Sequence, residues 1–204
     1  MNIYELEKNL KSKINDSVDD FLNYILIQLV PPLDDYYNAI NLLQTYAFEY
    51  GYNDFRIVVL GSYLSSTWFH FEENAFIESL TKYIDKVDKQ SQSIIYYLLA
   101  YDIYMKNEKN FPCQYIEFLE KSISLSNRFV YNYVRLAEIS PKKKARELMD
   151  IAISNVETVL TESELENMDI NDFLTYDAYI EEFILGVNIS YVIYEELKQM
   201  QEKY

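Results

Sequence analysis

The chain has 204 residues, enough for one or two domains with a real core. Half of the residues are hydrophobic, which excludes a disordered chain, and Gly 3 with Pro 4 leaves too little punctuation for a turn-rich all-β protein. A formal net charge of -15, from 18 basic and 33 acidic residues, disfavours nucleic acid and anionic membranes and favours a basic partner, although a need for solubility produces the same balance.

Apolar residues at Ile3, Leu6, Leu10, Ile14, Val18, Phe21, Leu22 and Ile25 follow one helical face and predict a helix over residues 3–29. "VPPLDD" ends it, because proline restricts the residue before it and cannot continue the ladder. A second helix is expected over residues 34–50, with Gly51 as its C-terminal cap. Further helices are expected over residues 54–68, 73–87, 91–106, 112–125, 128–139 and 141–160. Ser140 and Pro141 suit the start of the last of these. "TESE", from Thr161 to Glu164, is a capping-box pattern, and a long final helix over residues 171–199 would tolerate Gly186 inside it. No stretch alternates strictly, so the expected fold is all-α without strands.

The single cysteine, Cys113, forms no intramolecular disulfide and reads as a partly buried filler at a helix start. The N-terminus is charged and lacks a signal-peptide core, and "YILIQLV" is too short to span a bilayer. A cytoplasmic location follows as the expectation.

Three segments repeat a pattern: "FRIVVLGSYL" from Phe55, "IIYYLLAYDI" from Ile94 and "VYNYVRLAEI" from Val130. Leu60, Leu99 and Leu136 align, each followed by a small residue (Gly61, Ala100, Ala137) and preceded three positions earlier by a bulky one (Ile57, Tyr96, Tyr133). A small residue lets a neighbouring helix approach, and large flanking residues fill the groove between helices. The following helices match as well, pairing Leu80 with Leu119 and Ile84 with Ile123, while "ARELMDIAI" from Ala145 takes the third place. Ser126-Asn127 then ends one hairpin and caps the next.

At these residues the chain resembles the tetratricopeptide repeat (TPR) family, over about residues 54–160. The aromatic, leucine–small and later small positions are matched by Tyr96, Leu99-Ala100 and Ser122 in one unit. In the next unit they are matched by Tyr133, Leu136-Ala137, Ala145 and Ala152. The unit at Ile57, Leu60-Gly61 is weaker, with Tyr83 at its later small position; the repeat spacing is longer than the family's, and Asn127 stands where the closing proline belongs. The resemblance implies antiparallel helix pairs stacked as a right-handed superhelix, first helices lining a concave groove. Residues 1–53 would precede the array as N-terminal helices, and residues 161–204 would close it as an acidic helical cap, all in one domain.

Catalytic groups are scarce. The lone His70, in "STWFHFEEN", has Glu72 and Glu73 nearby but no second histidine, and reads as a packing residue. Neither a phosphate loop, a CxxC pair nor a His-Glu helix pair occurs, so no enzyme, metal or cofactor is expected. "ELENMDINDF" is acidic but lacks the spacing and central glycine of a calcium loop.

Two surfaces are candidates for a partner. On the first helices, Tyr97, Tyr101, Tyr104, Tyr131 and Glu138 would face the groove, tyrosine combining contact area with a polar tip; the alternative is that these tyrosines are core and rim residues. In the last third, no lysine or arginine lies between Arg146 and Lys198, while Glu162, Glu164, Glu166, Asp169, Asp172, Asp177, Glu181 and Glu182 accumulate. A one-signed face of this kind speeds association with a basic protein. The leading expectation is a bacterial, non-enzymatic protein-binding chain of the immunity or antitoxin type that occludes a basic toxin. The second is a TPR-type adaptor or chaperone holding an extended peptide in a tyrosine-lined groove.

Overall fold

The computed structural model describes residues 2–69, 74–106, 111–156, 159–167, 174–187 and 189–204. The all-α expectation holds, with one exception: Val159–Leu160 (β1) pairs in parallel with Ile189–Ser190 (β2) over two residues. Among the described residues, no helix is long and apolar enough to cross a membrane.

The predicted first helix is two helices, α1 (Ile3–Lys13) and α2 (Val18–Gln28). Ser17 breaks the run by accepting the Asp20 amide, 3.0 Å away, which caps α2. The apolar stripe keeps its phase across the break, which is why periodicity alone passes over it. After the prolines, α3 (Tyr36–Tyr50) starts at an Asp35 cap and ends at Gly51, whose φ of 75° suits glycine.

Next come α4 (Phe55–Leu64), capped by Asp54, and α5 (Ala75–Leu80), capped by Asn74. The helix expected over residues 54–68 changes to a wider turn at Ser65–Phe69. There the Ser65 hydroxyl donates to the Gly61 carbonyl at 2.6 Å and Thr67 to Tyr63 at 2.7 Å, competing with the backbone ladder. The helix expected over residues 73–87 is only α5 plus one tighter turn, Thr81–Tyr83. Then follow α6 (Lys89–Lys106), α7 (Cys113–Leu125), α8 (Val130–Glu138) and α9 (Lys142–Ser154).

Two expected caps fail. The Ser140 hydroxyl bonds back to Leu136 (2.7 Å) and leaves Pro141 at the α9 cap, while α8 begins at Phe129 with no side-chain cap. Cys113 is exposed, a correction to its reading as a partly buried filler: at the first turn of α7 it points away from the core. The predicted helix over residues 141–160 stops at Ser154, since residues 159–160 form β1.

The last third departs furthest. Glu162–Glu166 (α10) opens with the expected capping box, Thr161 and Glu164 bonding reciprocally. The long helix over residues 171–199 is instead α11 (Tyr176–Tyr179), a wider-turn extension at Ile180–Leu185, β2 and α12 (Tyr191–Glu202). Gly186 is not tolerated inside a helix; it ends one, at φ 64° in the left-handed region, with its amide donating to the Glu181 carbonyl.

Helices α4 and α5, α6 and α7, and α8 and α9 pack as consecutive pairs, as the repeat pattern predicts. Leu60, Leu119, Ala100, Ala137, Ala145 and Ala152 are fully buried, and core residues from Leu6 to Leu197 join in one cluster. At the α6–α7 joint, the Ser93 hydroxyl donates to the Ser122 carbonyl and the Ser122 hydroxyl to the Ser93 carbonyl, each at 2.7 Å. Asn132 of α8 donates to the Ser122 hydroxyl at 2.9 Å, tying the next unit to the same buried point.

A side chain on residue 61 would begin 2.4 Å from two carbons of the buried Phe76 ring. Gly61→Ala should therefore destabilise the fold despite about 1 kcal/mol of helix-propensity gain, because overpacking of this depth costs about 1–3 kcal/mol or more. Chemical denaturation of Gly61→Ala, Phe76→Leu and the double variant checks this: the double variant should recover part of the loss. Leu99→Ala and Leu136→Ala should each lose about 2–5 kcal/mol, while circular dichroism shows helix with negligible sheet.

Candidate functional site

Two of the four groove tyrosines are interior, and Tyr104 and Tyr131 are half-buried. Tyr97 and Tyr101 are 3% and 9% exposed, so the expectation that they line an open groove is corrected. Tyr101 stacks on Tyr63 of α4 at 5.6 Å and lies 6.0 Å from Tyr97, and its hydroxyl meets Thr67 at 3.1 Å. The C-terminal segment, residues 174–187, packs beside this region. Within it, α11 packs on α2, and the turn that follows packs on α8. Gly186 sits against the ring of the half-buried Tyr131, where a side chain would begin 3.1 Å from the ring. On α8, the first-helix face is thus met by the chain's own C-terminal segment.

Burial raises the hydroxyl pKa of Tyr63, Tyr97, Tyr131 and Tyr179 above the ordinary tyrosine value, so all four are neutral donors at physiological pH. None is poised as a base. Tyr104 and Glu138 lie at the other end of this face. The Arg135 guanidinium sits 4.0 Å over the Tyr104 ring and pairs with Glu138 at 3.2 Å, while Tyr104 also stacks on Phe111 at 5.6 Å. Sequence reasoning passed over Arg135, whose i, i+3 spacing to Glu138 was its signal.

The acidic residues divide. Glu162, Glu164 and Glu166 are exposed on α10, and Asp177 is exposed on α11. Hydrogen bonds from Thr161 hold the Glu164 carboxyl below its ordinary pKa. Glu181 is half-buried, and Glu182 is buried, so it belongs to no outer face. Asp169, Asp172 and His70 lie outside the described residues. A cavity of about 550 Å³ opens between α11 and the starts of α4 and α6, lined by Phe55, Arg56, Ser91, Tyr176 and Asp177 among others. Its cation is already engaged: Arg56 pairs with Asp19 at 2.6 Å and Asp54 at 3.1 Å. Among the described residues, no group of three or more His, Cys, Asp or Glu side chains could hold a metal ion.

Compared with known protein families, curated proteins and solved structures, the chain shows no match.

Burial pushes the Glu182 carboxyl up to about 7 from an ordinary 4.5. The folded chain therefore holds this proton more tightly than the unfolded chain, and the group's contribution to stability is lost as pH rises from about 4.5 through about 7. Glu182→Gln should match wild type in melting temperature near pH 4 and exceed it increasingly up to about pH 7, with a constant gap above. Thermal melts of both proteins across pH 4–8 check this; a gap independent of pH would place the Glu182 carboxylate in water.

Proposed function

We propose that the chain is a non-enzymatic protein-binding protein that occludes a basic protein partner in the cytoplasm, in the manner of an immunity or antitoxin protein. The observation that carries this reading is the charge of its last third. From residue 147 to residue 197 there are thirteen acids and no lysine, arginine or histidine, and the α10 acids stand exposed. A basic toxin that meets phosphate backbones with lysine and arginine is attracted by such a field, which imitates the charge of its substrate.

The paired packing of α4 with α5, α6 with α7 and α8 with α9 supports a TPR-like right-handed superhelix as the scaffold. The burial of Tyr97 and Tyr101 weighs against the adaptor reading, whose peptide would have to reach them from an open groove.

Steered association weakens with salt, since screening acts over roughly 8–10 Å at physiological ionic strength. Reversing Glu162, Glu164 and Glu166 to lysine should lower the association rate with the natural partner and flatten its salt dependence, leaving the dissociation rate nearly unchanged. Stopped-flow association at several salt concentrations, with the partner recovered by affinity capture, checks this. Equal salt slopes for wild type and the reversed variant would reduce the acidic face to a solvated surface.

A further inference from the structure

A second acidic region lies at the other end of the chain. Residues 14–55 hold seven acids and no lysine, arginine or histidine, whereas residues 56–146 hold thirteen cations against ten acids. The whole negative charge of the protein therefore comes from two stretches, and this one also carries an apolar opening.

The opening is a cleft of about 500 Å³ between the α1–α2 turn and α3. Its wall is aromatic: Phe21 lies 4.7 Å from Tyr46, and Tyr46 lies 4.8 Å from Tyr50. Ile14, Val18 and Leu42 complete the apolar lining, and Glu49 is the one charged side chain that lines it. Tyr50 is 62% exposed, and Phe48, one turn face away on α3, is 91% exposed. Leaving a phenylalanine in water forgoes most of the free energy its burial would yield. A second hollow on the other flank of α3, bounded by Gln44, Thr45, Phe48 and Tyr52, extends the apolar surface around Phe48. Arg56, the first cation after this stretch, is committed to Asp19 and Asp54.

We propose that the cleft between the α1–α2 turn and α3 docks a basic amphipathic helix of another protein, with apolar anchors in the cleft and lysine or arginine at its rim. The helical form suits the walls: α2 and α3 are helices, whose backbone groups are bonded internally and offer no strand edge, so an occupant that bonds its own backbone fits best. The basic charge follows from the acidic stretch that forms the cleft: Glu49 lines it, Asp16 beside it is exposed, and no lysine or arginine lies between Lys13 and Arg56. A second copy of this chain fits poorly, because it would press two predominantly acidic faces together. The inference rests on the reading that the partner is basic, and it adds a specific apolar anchor site to the acidic α10 face.

The test uses the full chain and three fluorescein-labelled peptides of about fourteen residues, roughly four helical turns. One places leucine at helical spacing with lysine elsewhere; the second has the same leucines with glutamate; the third replaces leucine by serine among lysines. Fluorescence anisotropy should show saturable binding of the leucine–lysine peptide alone. Tyr50→Ser and Glu49→Lys should each weaken it about tenfold or more, the scale of losing one anchor, with helical circular dichroism and melting unchanged because both side chains are exposed. The variant with Glu162, Glu164 and Glu166 reversed should bind within about twofold of wild type, a difference well under 1 kcal/mol. Equal binding of the serine–lysine peptide, or loss only in the α10 variant, would overturn the cleft proposal while leaving the acidic-face reading standing. Equal binding of the leucine–glutamate peptide, no binding of any peptide, or a dimer of the free chain dispersed by Tyr50→Ser would also overturn it.

Discussion

Phe76 occupies the space where any side chain on residue 61 would begin, and the approach of α5 to α4 depends on that absence. The ring meets Tyr52 edge-on at 5.3 Å, and the Tyr52 carbonyl accepts the Tyr83 hydroxyl at 2.7 Å. Tyr83 in turn packs on Phe55 at 5.4 Å, so one small residue fixes two helices and the loop that precedes them. In the next two units a fully buried alanine, Ala100 or Ala137, stands in the equivalent place. Close approach between helices is what lets the large residues around these points interdigitate.

Where a second small position would be expected on α7, the chain places a serine and uses its polarity. Ser93, Ser122 and Asn132 share buried hydrogen bonds across three helices, and each is fully buried. A buried hydroxyl is costly without a partner, so this joint tolerates little slippage between α6, α7 and α8. Asp102 is treated similarly, accepting from Ser66 at 2.8 Å and pairing with Lys106 at 2.9 Å.

Helix type, the pairing of consecutive helices and the burial of the leucine and small positions were legible in the sequence, because a 3.6-residue period and one-residue size differences are local signals. The break at Ser17 was not, since Ile14 and Val18 keep the same face on both sides of it. The rearranged C-terminus was missed because Gly186 was weighed for its propensity rather than for the left-handed conformation it supplies. Tyr97 and Tyr101 were placed correctly on their helix face but assigned to the surface. Part of what packs on them, Tyr63 and Thr67, comes from more than thirty positions earlier, and no spacing rule within α6 announces it. The acidic α10 residues were read correctly as exposed, while Glu182, nearby in sequence, turns inward.

That inward turn separates two uses of acid in one stretch. Exposed carboxylates on α10 keep their hydration and project a field, whereas Glu182, beside Tyr131, resists ionising until about pH 7. The segment that packs on α2 and α8 is therefore least strained when Glu182 is neutral, and most of the negative field is carried by side chains that do not pack there. At the opposite end, the residues around α3 combine exposed aromatics with an excess of acids, a pairing that solubility alone would not select, because Phe48 works against it. A field without apolar surface steers encounters but holds little; apolar surface without a field holds but discriminates poorly. The N-terminal cleft has both, so a basic partner drawn in by the two acidic ends would gain its residence time there.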